Sequence, residues 1–139
     1  SWGYPPKCPV EAIRFSVDSD IFLGGVGLYG GRGEYLAQLK LFDIGYDGGD
    51  IEREGELLLE TDIIHFECLP RQKYPVFFDE PILIQANRWY IIWASLAGPS
   101  SDCGSNGHPF ICTPEQFIFH FKPSKLSNNG TKYRFLINN

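Results

Sequence analysis

The feature that most constrains this chain is a period-two alternation of apolar and polar side chains. In Ala12-Ile-Arg-Phe-Ser-Val17, Ile13, Phe15 and Val17 share one side, and Arg14 and Ser16 take the other. Successive side chains of an extended backbone point to opposite faces, so the pattern reads as a half-buried β-strand. Tyr35, Ala37, Leu39 and Leu41 repeat it against Gln38 and Lys40, and Phe117, Phe119 and Phe121 against Ile118, His120 and Lys122. Shorter apolar runs cover 21–23, 56–61, 63–67, 74–78, 82–84 and 133–137. The run 88–96 is apolar on both sides, as a central strand requires, whereas Pro75 marks 74–78 as an edge strand or a strand start. No window of about a dozen residues carries an apolar stripe at helical spacing.

Turn residues separate these runs at regular intervals, and the 15 Gly and 10 Pro supply them. The pattern predicts an all-β fold, an antiparallel sandwich or barrel. The 139 residues make one domain, 1–139, large enough to bury a core without crosslinks. Long polar connections are expected at 24–34, 43–55, 98–108 and 123–131, and such loops carry the variable chemistry of antiparallel domains.

The net charge of -5, with no Lys/Arg cluster, argues against nucleic acid or an anionic membrane surface as partner. No apolar run is long enough for a membrane-spanning helix, so no membrane insertion is expected. Ser1-Trp-Gly-Tyr-Pro-Pro6 is not a basic-then-apolar leader, and the chain reads as a domain excised from something longer. Cys8, Cys68, Cys103 and Cys112 are irregularly spaced, which favours free thiols in a reducing, cytoplasmic compartment over two disulfides. Asn129-Gly-Thr131 is a sequon whose plainer reading is an Asn-Gly turn.

Four patterns invite a chemical reading. Gly25, Gly27 and Gly30 fit the dinucleotide-binding pattern G-x-G-x-x-G, and a strand precedes them. No helix follows, so the N-terminal dipole and free N–H groups that hold a pyrophosphate are missing. The glycines are therefore assigned to a bulged, crowded strand and then a turn needing positive φ. Cys103, His108 and Cys112 make three of the four ligands of a structural zinc site; this zinc- or thiol-dependent site is the alternative reading. Asp43, Asp47, Asp50, Glu52 and Glu54 offer oxygen ligands but miss the calcium-loop spacing, so a solvated turn is the simpler assignment. Ser100-Ser-Asp-Cys-Gly104 with His108 holds nucleophile, base and carboxylate, yet matches no nucleophile-elbow or papain-type signature. His65 and His120 sit inside strand runs and read as packing or solvent-face residues. No catalytic residue and no cofactor are expected; what is left is a binding module, foremost for protein.

Specific segments resemble a known family. Val10-Glu-Ala-Ile-Arg-Phe-Ser-Val17, the run 24–35 with Gly-Leu-Tyr-Gly-Gly-Arg-Gly-Glu-Tyr, Leu41-Phe-Asp43, Asp47-Gly-Gly-Asp50, 93–105 with Gly-Pro-Ser-Ser-Asp-Cys-Gly-Ser, and Ser127-Asn-Asn-Gly-Thr131 are similar to the PHR domain. That domain belongs to the Pam/Highwire/Phr (Myc-binding protein 2) family of giant RING-type E3 ubiquitin ligases, with relatives in BTB-domain adaptors. The resemblance implies a sandwich of about eleven antiparallel strands. It also implies a non-catalytic interaction or localisation module, with the RING region elsewhere in the parent and a neuronal, axonal and presynaptic setting. The family carries a longer polar stretch after Thr131, which here meets Lys132-Tyr133-Arg134 at once. The partner-binding residues are expected at one end of the sandwich, where the 24–34 and 98–108 loops could meet: Tyr29, Arg32, Glu34, Asp102, Cys103, Ser105 and Asn106. Each could instead stabilise its loop, Arg32 by pairing with Glu34 and Asp102 by capping backbone N–H groups.

Overall fold

The computed structural model describes residues 10–29, 33–68, 74–97, 108–112, 117–127 and 137–138. The alternation at 12–17 becomes β1 (Val10–Val17), with Ile13, Phe15 and Val17 buried. β2 (Ile21–Tyr29), β3 (Gly33–Gly45), β4 (Glu56–Glu60), β5 (Ile64–Cys68), β6 (Tyr74–Ile84), β7 (Trp89–Ala97), β8 (His108–Cys112), β9 (Phe119–Pro123) and β10 (Ile137–Asn138) follow. That is ten strands among the described residues, against an expectation of about eleven. The runs 74–78 and 82–84 merge into β6, and 128–136 lie outside the described residues. No helix occurs among the described residues, so none is long and apolar enough to cross a membrane.

Two sheets form. The larger runs β4-β3-β7-β1-β9, with β5 also paired to β3; the smaller runs β10-β8-β2-β6. β7 is central, hydrogen-bonded to β1 on one side and β3 on the other. β6 is an edge strand, which suits Pro75 and Pro81, because a proline cannot donate to a ladder. Every pairing is antiparallel except β10 with β8, which is parallel. Side chains from both sheets meet in one core: Phe15, Val17, Leu39, Leu41, Tyr90, Ile92 and Leu96 from the larger, Ile21, Leu23, Val26, Leu28 and Ile84 from the smaller.

Bulges explain where the expected loops shrink. The stretch 24–29, expected as loop, is strand: β2 continues to Tyr29. Its register against β6 jumps between Leu23, opposite Ile82, and Gly25, opposite Phe77. A Cβ at Gly25 would lie 2.2 Å from the Val76 carbonyl oxygen, so only glycine fits this approach of two backbones. The bulge moves the buried positions from Ile21 and Leu23 to Val26 and Leu28, which defeats a simple alternation count. Gly33 then has φ of 135°, the positive-φ turn glycine expected, and it opens a thirteen-residue strand where a phosphate-binding helix would have to start. Likewise β3 runs on to Gly45, so the 43–55 connection shortens to 46–55.

That connection folds back over the outer face of the larger sheet. Arg14 Nη1 donates to the carbonyls of Gly48 (2.8 Å) and Gly49 (3.2 Å), and Lys122 Nζ donates to Gly49 (2.7 Å). Glu52 accepts from the Ser124 hydroxyl and from the Lys125 backbone N–H. Gly48 and Gly49 press on Trp89, above a small outer cluster of Ala12, Ile44 and Ile91. At the same end the crossovers 18–20 and 85–88 are tied together: Asp20 Oδ1 accepts from the Ala86 N–H (2.7 Å), and the Asn87 N–H donates to the Val17 carbonyl (2.7 Å).

Candidate partner-binding end of the sandwich

Strand register decides which connections come together. Tyr29, the last residue of β2, is the register partner of His108, the first of β8. Gly33, opening β3, pairs with Cys68, closing β5, and Leu36 pairs with Ala97, closing β7. The strand ends that bracket 30–32, 69–73 and 98–107 therefore gather at one end of the sandwich, opposite the end that carries 18–20, 46–55 and 85–88.

The floor of this end is aromatic. Phe66 stacks between Tyr35 (ring centroids 5.5 Å) and Tyr74 (4.6 Å), linking β3, β5 and β6 across the two sheets. Such stacks add to area burial by roughly 0.5–1.5 kcal/mol each. Tyr35 and Phe66 are buried, so the strand ends rest on packed core.

Glu34 is the second residue of β3, on the outer face and 70% exposed at its side chain. It sits directly opposite Glu67 in the register, and its carboxylate lies 3.7 Å from His65 Nε2. Like charges directly opposite on a sheet are mildly unfavourable, so these two carboxylates add nothing to the stability of the β3–β5 pair. Tyr29 is placed by its backbone beside His108. Arg32, Asp102, Cys103, Ser105 and Asn106 lie outside the described residues.

The other candidates are dispersed. His108 and Cys112 occupy the two ends of β8, four steps apart on an extended strand. At about 3.3 Å per residue their Cα atoms are roughly 13 Å apart, too far for both to ligate one ion through bonds of about 2.0–2.3 Å. Cys103 lies outside the described residues. The acidic run splits among separate partners: Arg88 Nε donates to both carboxylate oxygens of Asp43 at 2.8 Å, Arg53 pairs with Asp47, and Glu52 faces Arg14 at 3.6 Å. His65 and His120 are both on the solvent face, the latter 2.9 Å from Asp18 Oδ1.

Asp43, Asp47, Arg53, Glu56 and Arg88 line an open depression of about 350 Å³ at the far end. The Arg88 guanidinium is held by Asp43, whose hydrogen bond raises its pKa further, and by the Tyr46 ring at 4.9 Å. Beneath it, burial pushes the Tyr90 phenol above its usual 10.0, and the phenol oxygen accepts from the Gln85 N–H at 2.9 Å. Both arginines of the depression are already paired, Arg88 with Asp43 and Arg53 with Asp47, which is the pattern of a structural lock.

Read from sequence, Arg14 is an outward polar residue, and the clamp it forms with Glu52 and the Pro123 carbonyl is missed. No local signal marks it, because the partners lie 38 and 109 positions away.

The PHR domain family matches residues 1–134. The chain is 57% identical over 130 residues to E3 ubiquitin-protein ligase MYCBP2 of Danio rerio, and 52% identical over 130 residues to E3 ubiquitin-protein ligase highwire of Drosophila melanogaster. Both matches cover 94% of this chain but only 3% and 2% of those proteins. It is 28% identical over 134 residues to BTB/POZ domain-containing protein 6 of Homo sapiens, covering 94% of the chain and 22% of that protein.

Proposed function

Because this chain belongs to the PHR domain family, we propose that it is a non-catalytic protein-interaction module of a large RING-type E3 ubiquitin ligase. Its relatives include two proteins named as E3 ubiquitin ligases, of which it matches a small fraction, so ubiquitin transfer would take place elsewhere in the parent. In this reading the domain captures or localises partners of a cytoplasmic ligase acting at axons and synapses.

The partner surface is assigned to the end bracketed by Tyr29 and His108. The observation that supports this most is their register pairing, which brings the flanks of 30–32 and 98–107 side by side. Glu34 stands there exposed, opposite Glu67, on a floor of stacked rings. Exposed polar groups on a rigid base make a surface at little ordering cost. Tyr29, Arg32, Asp102, Cys103, Ser105 and Asn106 complete the assigned surface, Tyr29 as the aromatic anchor of the kind that dominates interface energy.

The test is capture from neuronal extract by the wild-type domain and by Arg32→Glu and Asp102→Lys variants, with melting temperatures alongside. Partners should be lost while the melting temperature holds. Undiminished capture, or a large fall in stability, defeats the assignment.

A further inference from the structure

The two most exposed large apolar side chains among the described residues lie on one surface. Phe77 is 79% exposed and Phe22 72%, and Leu83, the register partner of Phe22, is 44% exposed. Alternation explains the grouping. Ile21, Leu23, Val76, Ile82 and Ile84 turn into the core, so Phe22, Phe77 and Leu83 turn outward from the smaller sheet. Pro75 and Pro81 share the outward row of β6, and across from Phe77 stands Gly25 with no side chain. The face is thus low and apolar, with two rings standing clear of it.

Its charges have one sign: β2 and β6 contain Asp79 and Glu80, and neither lysine nor arginine. The register shift sets four residues of β6, 78–81, against the single Gly24 of β2. Such a bulge re-aims side chains, and both Asp79 and Glu80 are exposed next to Phe77. Exposed aromatic side chains grouped on one face mark an interaction surface, and a rim of one charge sign selects a partner of the other.

We propose that the outer face of the smaller sheet docks a short apolar segment carrying lysine or arginine, with Phe22 and Phe77 as anchors and Asp79 and Glu80 as charge partners. This site is separate from the loop-bearing end and stands whether or not that end binds anything.

The probes are a synthetic leucine–lysine peptide and its leucine–glutamate counterpart, followed by fluorescence anisotropy at low and high salt. The basic peptide should bind, more weakly as salt rises, and the acidic one should not. Phe77→Ser and Phe22→Ser should each weaken binding by about tenfold or more, with unchanged melting temperature because both rings are already in solvent. The Asp79→Lys/Glu80→Lys double variant should do the same, while Glu54→Lys/Asp62→Lys, equal in charge change but on the larger sheet's side, should not. Equal loss from both double variants, full binding by the phenylalanine variants, or failure of the basic peptide to bind would overturn the proposal. So would concentration-dependent self-association abolished by Phe77→Ser, which would make a second copy the occupant.

Discussion

The Arg14 guanidinium lies 3.6 Å from the Glu52 carboxylate, with only 14% and 10% of the two side chains exposed. One comes from the central part of the larger sheet and the other from a connection 38 positions on. Being largely out of solvent, the pair is worth more than a surface salt bridge. Arg14 also donates to Pro123 (2.8 Å), Gly48 and Gly49, so one side chain holds two backbone segments, the end of β9 and the 46–55 connection.

Arg14→Ala should therefore cost about 2–4 kcal/mol in urea unfolding, since it leaves Glu52 uncompensated and frees three carbonyl acceptors. Arg14→Lys should recover little of this, because an ammonium cannot span the forked set of acceptors. Hydrogen exchange should quicken across 46–55 first. A loss below about 0.5 kcal/mol would mean the connection is held by the packing of Gly48 and Gly49 on Trp89 and by the Lys122, Ser124 and Lys125 contacts instead.

The two adjacent glycines of the bulge should behave oppositely. Gly25→Ala should destabilise by about 1–3 kcal/mol, because its Cβ would collide with the Val76 carbonyl. Gly24→Ala has nothing within 4 Å of the new Cβ and should be neutral or gain up to about 1 kcal/mol. Thermal melts of the pair distinguish a backbone-crowding role from any ligand role, which would not follow this order.

Tyr90 should impose an alkaline limit. Burial raises its folded-state pKa above 10.0, so the folded state keeps its proton where the unfolded state releases it. The contribution is complete below about pH 10, where an unfolded phenol titrates, and is lost as pH rises from there through the folded-state value. Tyr90→Phe should flatten this decline. At neutral pH it should cost about 1 kcal/mol for the hydrogen bond from Gln85.

Glu34→Lys separates binding from folding at the loop-bearing end. It exchanges a Glu–Glu register pair for Lys–Glu, so stability should be unchanged or rise by a few tenths of a kcal/mol. Partner capture should fall if the acidic group is read there. Retained capture would remove Glu34 from the surface, and a fall in stability would make its contact with His65 structural.

The fold class was legible because alternation is a property of adjacent residues. Ile13, Phe15 and Val17, or Tyr35 through Leu41, need only their own spacing to declare which side meets the core. The crowding at Gly25 and the turn at Gly33 were legible for the same reason, since glycine density marks backbone no side chain could share. The expected loop residues divide: Tyr29 and Glu34 sit at strand termini on the loop-bearing end, whereas Arg32, Asp102, Cys103, Ser105 and Asn106 lie outside the described residues.

Sequence by itself determined what each segment is; tertiary structure decided what each segment meets. Register pairs Tyr29 with His108, 79 positions apart, and Phe22 with Leu83, 61 apart. Those pairings are set by strand order, which leaves no local trace; glycine density marks that a bulge is there, but not which residues it sets opposite one another. The same holds for Arg14 and Glu52. A charge in a strand reads as solvent-facing until a distant loop folds over it, and only the folded chain brings that loop there.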